Sequence, residues 1–414
     1  MAIQVQSDKL VVTQTFDLGE LTRVRRLRVM QGRGRYDFPP DQLYDPARSF
    51  CDYFAATGGY PFSLIALIQV AAQKMLGQTM GVGAGLFAAG GLYLALDSSH
   101  ANLAFQNTFG DFTSGFSHQY GVALATMTMS GAFNVPWDRM VPIPVKGRKE
   151  LDYEVPIGAN AWLRLEAKGV VTSRSNANRN AAKANAFKKK LDPDSPAGAP
   201  SVRRTFQDPT AMIAVVTEAG RSPSENGSLT VIDPPLATSD ERRKPNNQEA
   251  AYWSHYARIA SAAGLFRLAA FFASRAAAVS SDLGYETPRF PERLLIAHKK
   301  AIGAGDSLVG IQWPLQRSVT KSASLWIYQG IYLDQLLRLA MAEKAFPAEP
   351  FRNPMQLERS TSDGDWAESH LPDAAYFGIG LGARPGFAVV EPDTWSDNPS
   401  YLEQVENQVL TSSR

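Results

Sequence analysis

The chain has 414 residues, 42 basic and 40 acidic, for a net charge of +2, so charge alone does not mark a nucleic-acid-binding protein and only local clustering could. Hydrophobic residues make up 44%, enough to bury a sizeable core in two or three domains, or in one core with large additions. A single cysteine, Cys51, excludes a disulfide within the chain and a cysteine-rich zinc site.

Met1 to Leu10 is polar and does not read as a classical signal peptide, which with the lone cysteine fits a cytoplasmic location. Val11 to Phe16 reads as a short strand. Arg23, Arg25, Arg26 and Arg28 crowd one segment and read as a solvated face in preference to a phosphate contact. Phe62 to Met75 reads as a helix interrupted by Gln69, Gln73 and Lys74. Met80 to Leu96 carries no charge and sits at the lower length limit for a membrane span. Its glycines disfavour a free helix. The expectation is a buried, tightly packed helical segment, with a membrane span as the lesser alternative. Phe112 to Met129 reads as a helix packed against the hairpin that follows, and Val141 to Lys146 as a strand punctuated by proline.

The hairpin is the central feature. Leu151 to Val155 and Ala161 to Gly169 flank a Pro/Gly/Asn cluster at Pro156 to Asn160. Strand side chains alternate faces. Leu163, Leu165 and Ala167 therefore share an apolar face, and Arg164, Glu166 and Lys168 the opposite one. Asp152 and Glu154 fall together on the other strand. One sheet face is greasy, and the other holds three carboxylates and two cations. Periodicity by itself describes an antiparallel hairpin with one wet face.

An Asp on one strand followed by Glu-x-Lys on the next resembles the PD-(D/E)xK nuclease superfamily. Asp152, Glu166 and Lys168 match its three motif positions, with Leu151 where the family usually has proline. The resemblance covers about residues 111 to 235. It implies an α/β fold with a restriction-endonuclease-like mixed sheet core at 111–240. An N-terminal, partly helical region would fill 1–110, and a helical C-terminal region with an irregular tail 241–414. It implies a Mg²⁺-dependent endonuclease, with Mn²⁺ as a possible substitute, in which Asp152 and Glu166 hold the cation and Lys168 serves catalysis. A hard cation on carboxylates both stabilises phosphate charge and activates water. Glu154 and Arg164 share that face as supporting residues. The helix before the Asp strand often supplies a further acid in such nucleases; here glutamate is absent, and His118 and Gln119 are the candidates, Gln119 taken as support and His118 read as a structural histidine. Similar chains are often parts of bacterial defence systems.

Past Gly169, residues Arg174, Arg179, Lys183, Lys188, Lys189 and Lys190 crowd one stretch with no acid among them. They read either as a solvated helix or loop or as a phosphate-contacting arm for a nucleic acid, DNA first. Asp192 to Pro200 reads as a linker. Ala211 to Val216 and Leu229 to Ile232 read as further strands of the same sheet, separated by a turn at Ser222 to Gly227. Ala250 to Ala263 and Leu265 to Val279 read as an αα-hairpin broken near Gly264, and Ser324 to Lys344 as another amphipathic helix. Asp363, Asp365, Glu368 and His370 read as an acidic surface loop. Two further readings stay open: a nuclease-like fold that has lost activity and serves as a binding module, and a membrane-associated interaction protein built on residues 62–96.

Overall fold

A short antiparallel pair, β1 (Ala2–Gln6) and β2 (Lys9–Thr13), opens the chain as a sheet of its own. The structure is a computed structural model that describes residues 2–6, 9–13, 18–31, 45–75, 89–93, 96, 103–105, 113–133, 135–142, 152–156, 162–171, 211–220, 227–232, 248–280, 308–314, 325–332, 339, 359–362, 365–381 and 387–390. The basic stretch from Arg174 to Lys190, the linker at 192–200, the turn at 222–226 and most of residues 80–96 lie outside them.

The main sheet has seven strands: β3 (Arg25–Gln31), β4 (Tyr60–Phe62), β5 (Val141–Pro142), β6 (Tyr153–Pro156), β7 (Trp162–Val171), β8 (Ala211–Ala219) and β9 (Ser228–Ile232). Their order is β4-β3-β9-β8-β7-β6-β5. The pairs β3–β9 and β7–β8 are parallel and the rest antiparallel, so the sheet is mixed. The runs expected at 211–216 and 229–232 are two of its strands. The sheet also takes β3 and β4 from the N-terminal region, so a boundary at residue 110 does not divide it. Arg25 corrects the reading of its segment as a solvated face: it is buried on the core side of β3, and its guanidinium lies 3.1 Å from Glu20 on α1 (Gly19–Thr22).

Helices α2 (Asp45–Ala56), α3 (Leu64–Met75) and α4 (Thr113–Phe133) follow the expected positions or, for α2, add to them. Helix α4 is apolar on nearly every side, as a helix packed on all faces must be. It lies on β7 and β8, and α2 and α3 lie against it. Its approach to β7 is as close as two backbones allow. A Cβ at Gly169 would fall 1.6 Å from the Ser117 carbonyl oxygen, and one at Gly121 would fall 2.3 Å from the Gly169 nitrogen. Glycine at both positions is what seats the helix.

Helices α5 (Gln248–Ala262) and α6 (Phe266–Ser280) form the expected αα-hairpin. Gly264 turns it in the left-handed region, φ 78°. The Leu265 amide bonds the Ala260 carbonyl at 2.8 Å and the Gly264 amide that of Ser261 at 3.1 Å, the pattern that closes a helix with a left-handed glycine.

The C-terminal region departs from expectation. It carries a second sheet of six strands: β10 (Leu308–Pro314), β11 (Leu325–Tyr332), β12 (Arg359–Ser362), β13 (Trp366–His370), β14 (Ala375–Leu381) and β15 (Phe387–Val390), in the order β12-β13-β14-β11-β10-β15. Of the helix expected at 324–344, residues 325–332 are the strand β11, while Leu339, also described, is helical. Glu368 and His370 stand on β13, not on a surface loop, and the tail past 345 is not irregular throughout. Both faces of β11 are covered, which erases the period-2 signal a half-exposed strand would show.

Helices α3 and α5 reach this sheet, α3 touching β13 and β14 and α5 touching β11. One hydrophobic cluster therefore runs unbroken from Leu165 on the first sheet through Leu124, Ile65 and Trp253 to Phe377 on the second. A buried polar contact ties the same layers. Asp373, on the β13–β14 turn beside Ala374 (φ 65°), accepts the Trp137 indole N–H at 3.0 Å, and its Oδ2 lies 2.9 Å from Nε2 of His255 on α5. Among the described residues, no helix is long and apolar enough to cross a membrane.

Candidate active site

The hairpin places its charges as its alternation predicts. Strands β6 and β7 pair with Tyr153 opposite Leu165, Glu154 opposite Arg164 and Val155 opposite Leu163. Leu163, Leu165 and Ala167 are fully buried beneath α4. Arg164, Glu166 and Lys168 take the opposite face with Glu154.

Asp152 precedes β6 and is fixed by two bonds that straddle Glu166. Its amide donates to the Leu165 carbonyl at 2.9 Å, and its Oδ2 accepts the Ala167 amide at 2.8 Å. A carboxylate tied to a strand amide has little freedom to swing, so the residue stands across from Glu166 as a preset group. Glu166 is wholly buried, and Lys168 Nζ lies 2.7 Å from its Oε1. The Lys168 side chain is 25% exposed, so it reaches from the solvent side onto a carboxylate the protein hides. Glu154 and Arg164 form a second ion pair across the strands at 3.5 Å, and the Arg164 guanidinium lies over the Trp162 ring.

Glu218 belongs to the same face and was missed in the sequence. The register Glu166 to Ala214 and Lys168 to Val216 carries on to put Glu218 beside Val170. It is buried, and Ser228 Oγ donates to its Oε2 at 2.8 Å. Alternation along 211–219 groups Glu218 with Ala214 and Val216, a signal that was legible. Among the described residues, four carboxylates, from Asp152, Glu154, Glu166 and Glu218, thus share this face with Arg164 and Lys168, and the register of β3 on β9 adds Arg28 beside Ser228, with Arg26 two residues before it, so the face mixes both signs in balance.

Not every expected residue joins them. Helix α4 packs on the apolar face, with Ser117 and Gly121 turned to β7. Gln119, two residues from Ser117, falls on the far side of the helix from the strand. The sheet separates it from Glu166, and its supporting role is withdrawn. His118 is exposed on the same helix. The basic residues Arg174 to Lys190 lie outside the described residues.

Asp152 and Glu166 offer hard oxygen donors on adjacent strands, the donor type Mg²⁺ selects, and Mg²⁺ keeps several waters and needs few protein ligands. Among the described residues no group of three or more His, Cys, Asp or Glu side chains gathers around one point. Asp152 and Glu166 are oxygen donors of the type a hard cation takes, and each is also engaged within the protein, Asp152 by the Ala167 amide and Glu166 by Lys168. Thiol chemistry has no place here: Cys51 is buried, and burial together with the charge of Asp52 pushes its thiol up to about 12.

Compared with protein-family models, with curated proteins and with solved structures, the chain matches none.

Proposed function

We propose that the chain is a metal-dependent nuclease that hydrolyses phosphodiester bonds, DNA first, with Mg²⁺ and Mn²⁺ as alternative cations. The observation that carries this reading is the trio of Asp152, Glu166 and Lys168 on one face of β6 and β7, with Asp152 clamped by the Ala167 amide and Lys168 in contact with Glu166. A restriction-endonuclease-like core belongs to the same proposal. It is supported by a helix before the hairpin, an antiparallel Asp and Glu-x-Lys strand pair, and a further strand added in parallel to the second.

Asp152 and Glu166 would hold the cation, which supplies a Lewis acid and an activated water when bound. Lys168 has two tasks. It neutralises the buried Glu166 at rest, and its ammonium stands ready to face the charge that develops on a phosphate. Arg164 and Glu154 keep the neighbouring strand positions charged and mutually tied. The basic stretch from Arg174 to Lys190 would contact phosphates along the substrate.

A second reading, a nuclease-like fold that binds without cutting, is favoured by α4, which lies on the other face and adds no further acid. Cleavage of plasmid and single-stranded substrates with Mg²⁺ or Mn²⁺, beside calorimetric metal titration of wild type, D152N and E166Q, separates the two. Wild-type cleavage lost in both variants together with metal affinity is expected. A wild type that binds no divalent cation and cuts nothing establishes the second reading.

A further inference from the structure

Three strands of the second sheet bring one polar cluster together. Glu368 and His370 alternate on β13, and Tyr332 on β11 and Tyr376 on β14 share their face, opposite Phe377 and Ile379 of the common core. His370 pairs in register with Tyr376, and Glu368 with Gly378. A Cβ at Gly378 would sit 2.8 Å from the Tyr376 hydroxyl, so the bare glycine is what lets that phenol lie toward Glu368. Tyr376 O–H donates to Glu368 Oε2 at 3.1 Å. The Tyr332 hydroxyl lies 2.5 Å from His370 Nδ1, and His370 Nε2 lies 3.4 Å from Glu368 Oε1.

That last distance is the informative one. It is longer than an ordinary N–H···O bond, about 2.7–3.2 Å. It is an ion-pair distance that is also compatible with two donors around one tetrahedral ion, since Zn–N and Zn–O bonds of about 2.0–2.2 Å set adjacent donors about 3.4 Å apart. Tyr332 takes the other ring nitrogen, as the outer partner of a metal-bound histidine does, fixing the ring and leaving Nε2 to face the carboxylate. The His370 and Glu368 side chains are 20% and 15% exposed, held by the sheet yet open to an ion from solvent.

We propose that Glu368, His370 and Tyr376 form a site for a divalent transition ion of the zinc class, completed by water, with Tyr332 as the positioning residue for the imidazole. Imidazole, carboxylate and phenol suit Zn²⁺ or Co²⁺ better than a soft, thiolate-seeking ion. The ion takes the bare Nε2 of a neutral ring whose one proton sits on Nδ1 and is donated to the Tyr332 oxygen, and as Tyr376 coordinates, its phenol proton leaves to solvent. The site stands apart from the Asp152–Glu166 face and does not rest on the nuclease reading.

The test uses the purified full chain and Co²⁺ alone, followed by its visible absorption, with Zn²⁺ calorimetry in two buffers of different ionisation heat to count released protons. The intense absorption of tetrahedral Co²⁺ is expected in wild type and in E166Q, and its loss in H370Q and E368Q. Y332F keeps the spectrum but binds roughly 10–100-fold more weakly, the scale for losing an outer partner. Y376F, which removes one oxygen and leaves the ring packing, weakens binding with thermal melting unchanged. A wild type with no tetrahedral spectrum overturns the proposal, as does a spectrum that survives in both H370Q and Y376F.

Discussion

Nε2 of His255 lies 2.9 Å from Oδ2 of Asp373, and both side chains are buried at the junction of the two sheets. Burial lowers the His255 pKa to about 4, against the opposing pull of Asp373, so the ring is neutral near pH 7 and donates an N–H. Burial pushes Asp373 upward, yet the hydrogen bonds from His255, Trp137 and the Ala375 amide hold it below the ordinary carboxylate value. Its oxygens collect three donors in a place where an unpaired charge would cost several kcal/mol.

An acid limb in stability follows from this pair. A histidine whose folded pKa is lowered contributes stability that is complete above its ordinary value of 6.5 and is lost as pH falls toward about 4. The lowered Asp373 acts in the same direction at still lower pH. Urea denaturation between pH 7 and pH 4 should show a loss on the order of 3 kcal/mol from His255, at about 1.36 kcal/mol per pH unit. H255Q should start from a lower plateau and lose the limb above pH 4. An unchanged slope in H255Q would assign the limb to other groups.

Gly169→Ala and Gly121→Ala should each destabilise by about 1–3 kcal/mol or more, because the added methyl meets backbone that cannot step aside. Gly115→Ala, on the same helix with open space around it, is the control and should gain up to about 1 kcal/mol. Denaturant midpoints read both outcomes, and equal effects at all three sites would refute the close helix–strand contact.

Lys168→Ala and Glu166→Gln should differ in kind. The first leaves both carboxylate ligands and removes a neighbouring cation, so metal should bind as well as in wild type or more tightly while the cleavage rate falls roughly 10²-fold. The second should lose metal affinity and rate together. Glutamine is the useful replacement because Glu166 is fully buried, and a truncation there would add a cavity to the loss of charge. A Lys168→Ala enzyme that cuts at the wild-type rate would show that the motif residues are not the catalytic ones.

The hairpin was legible because one of its faces is uniformly apolar, and period-2 alternation then fixes which residues point where. Glu218 was legible by the same rule. The strand β11 was not: its apolar and aromatic residues, Leu325, Tyr328 and Tyr332 among them, fit a helical spacing, and with both strand faces covered nothing in the local pattern favours extension. Arg25 reads as one more charge in an arginine-rich segment, and only the core side of β3 and the nearby Glu20 explain its burial. Asp373 was out of reach for a different reason. Its partners His255 and Trp137 lie 118 and 236 residues away along the chain, a separation no motif window spans.

The parallel pairing of β3 with β9 joins Arg28 to Ser228, two hundred positions apart. During synthesis, at about 5–20 residues per second, β3 leaves the ribosome roughly 10–40 s before its neighbour exists. For that interval β4, of three residues, is the one of its two partners among the described strands already made, and the edge of β3 that β9 will take awaits its strand. The exposed side chains of Arg26 and Arg28 line that strand throughout the wait. Their charge discourages one nascent chain from pairing with another before Ser228 arrives.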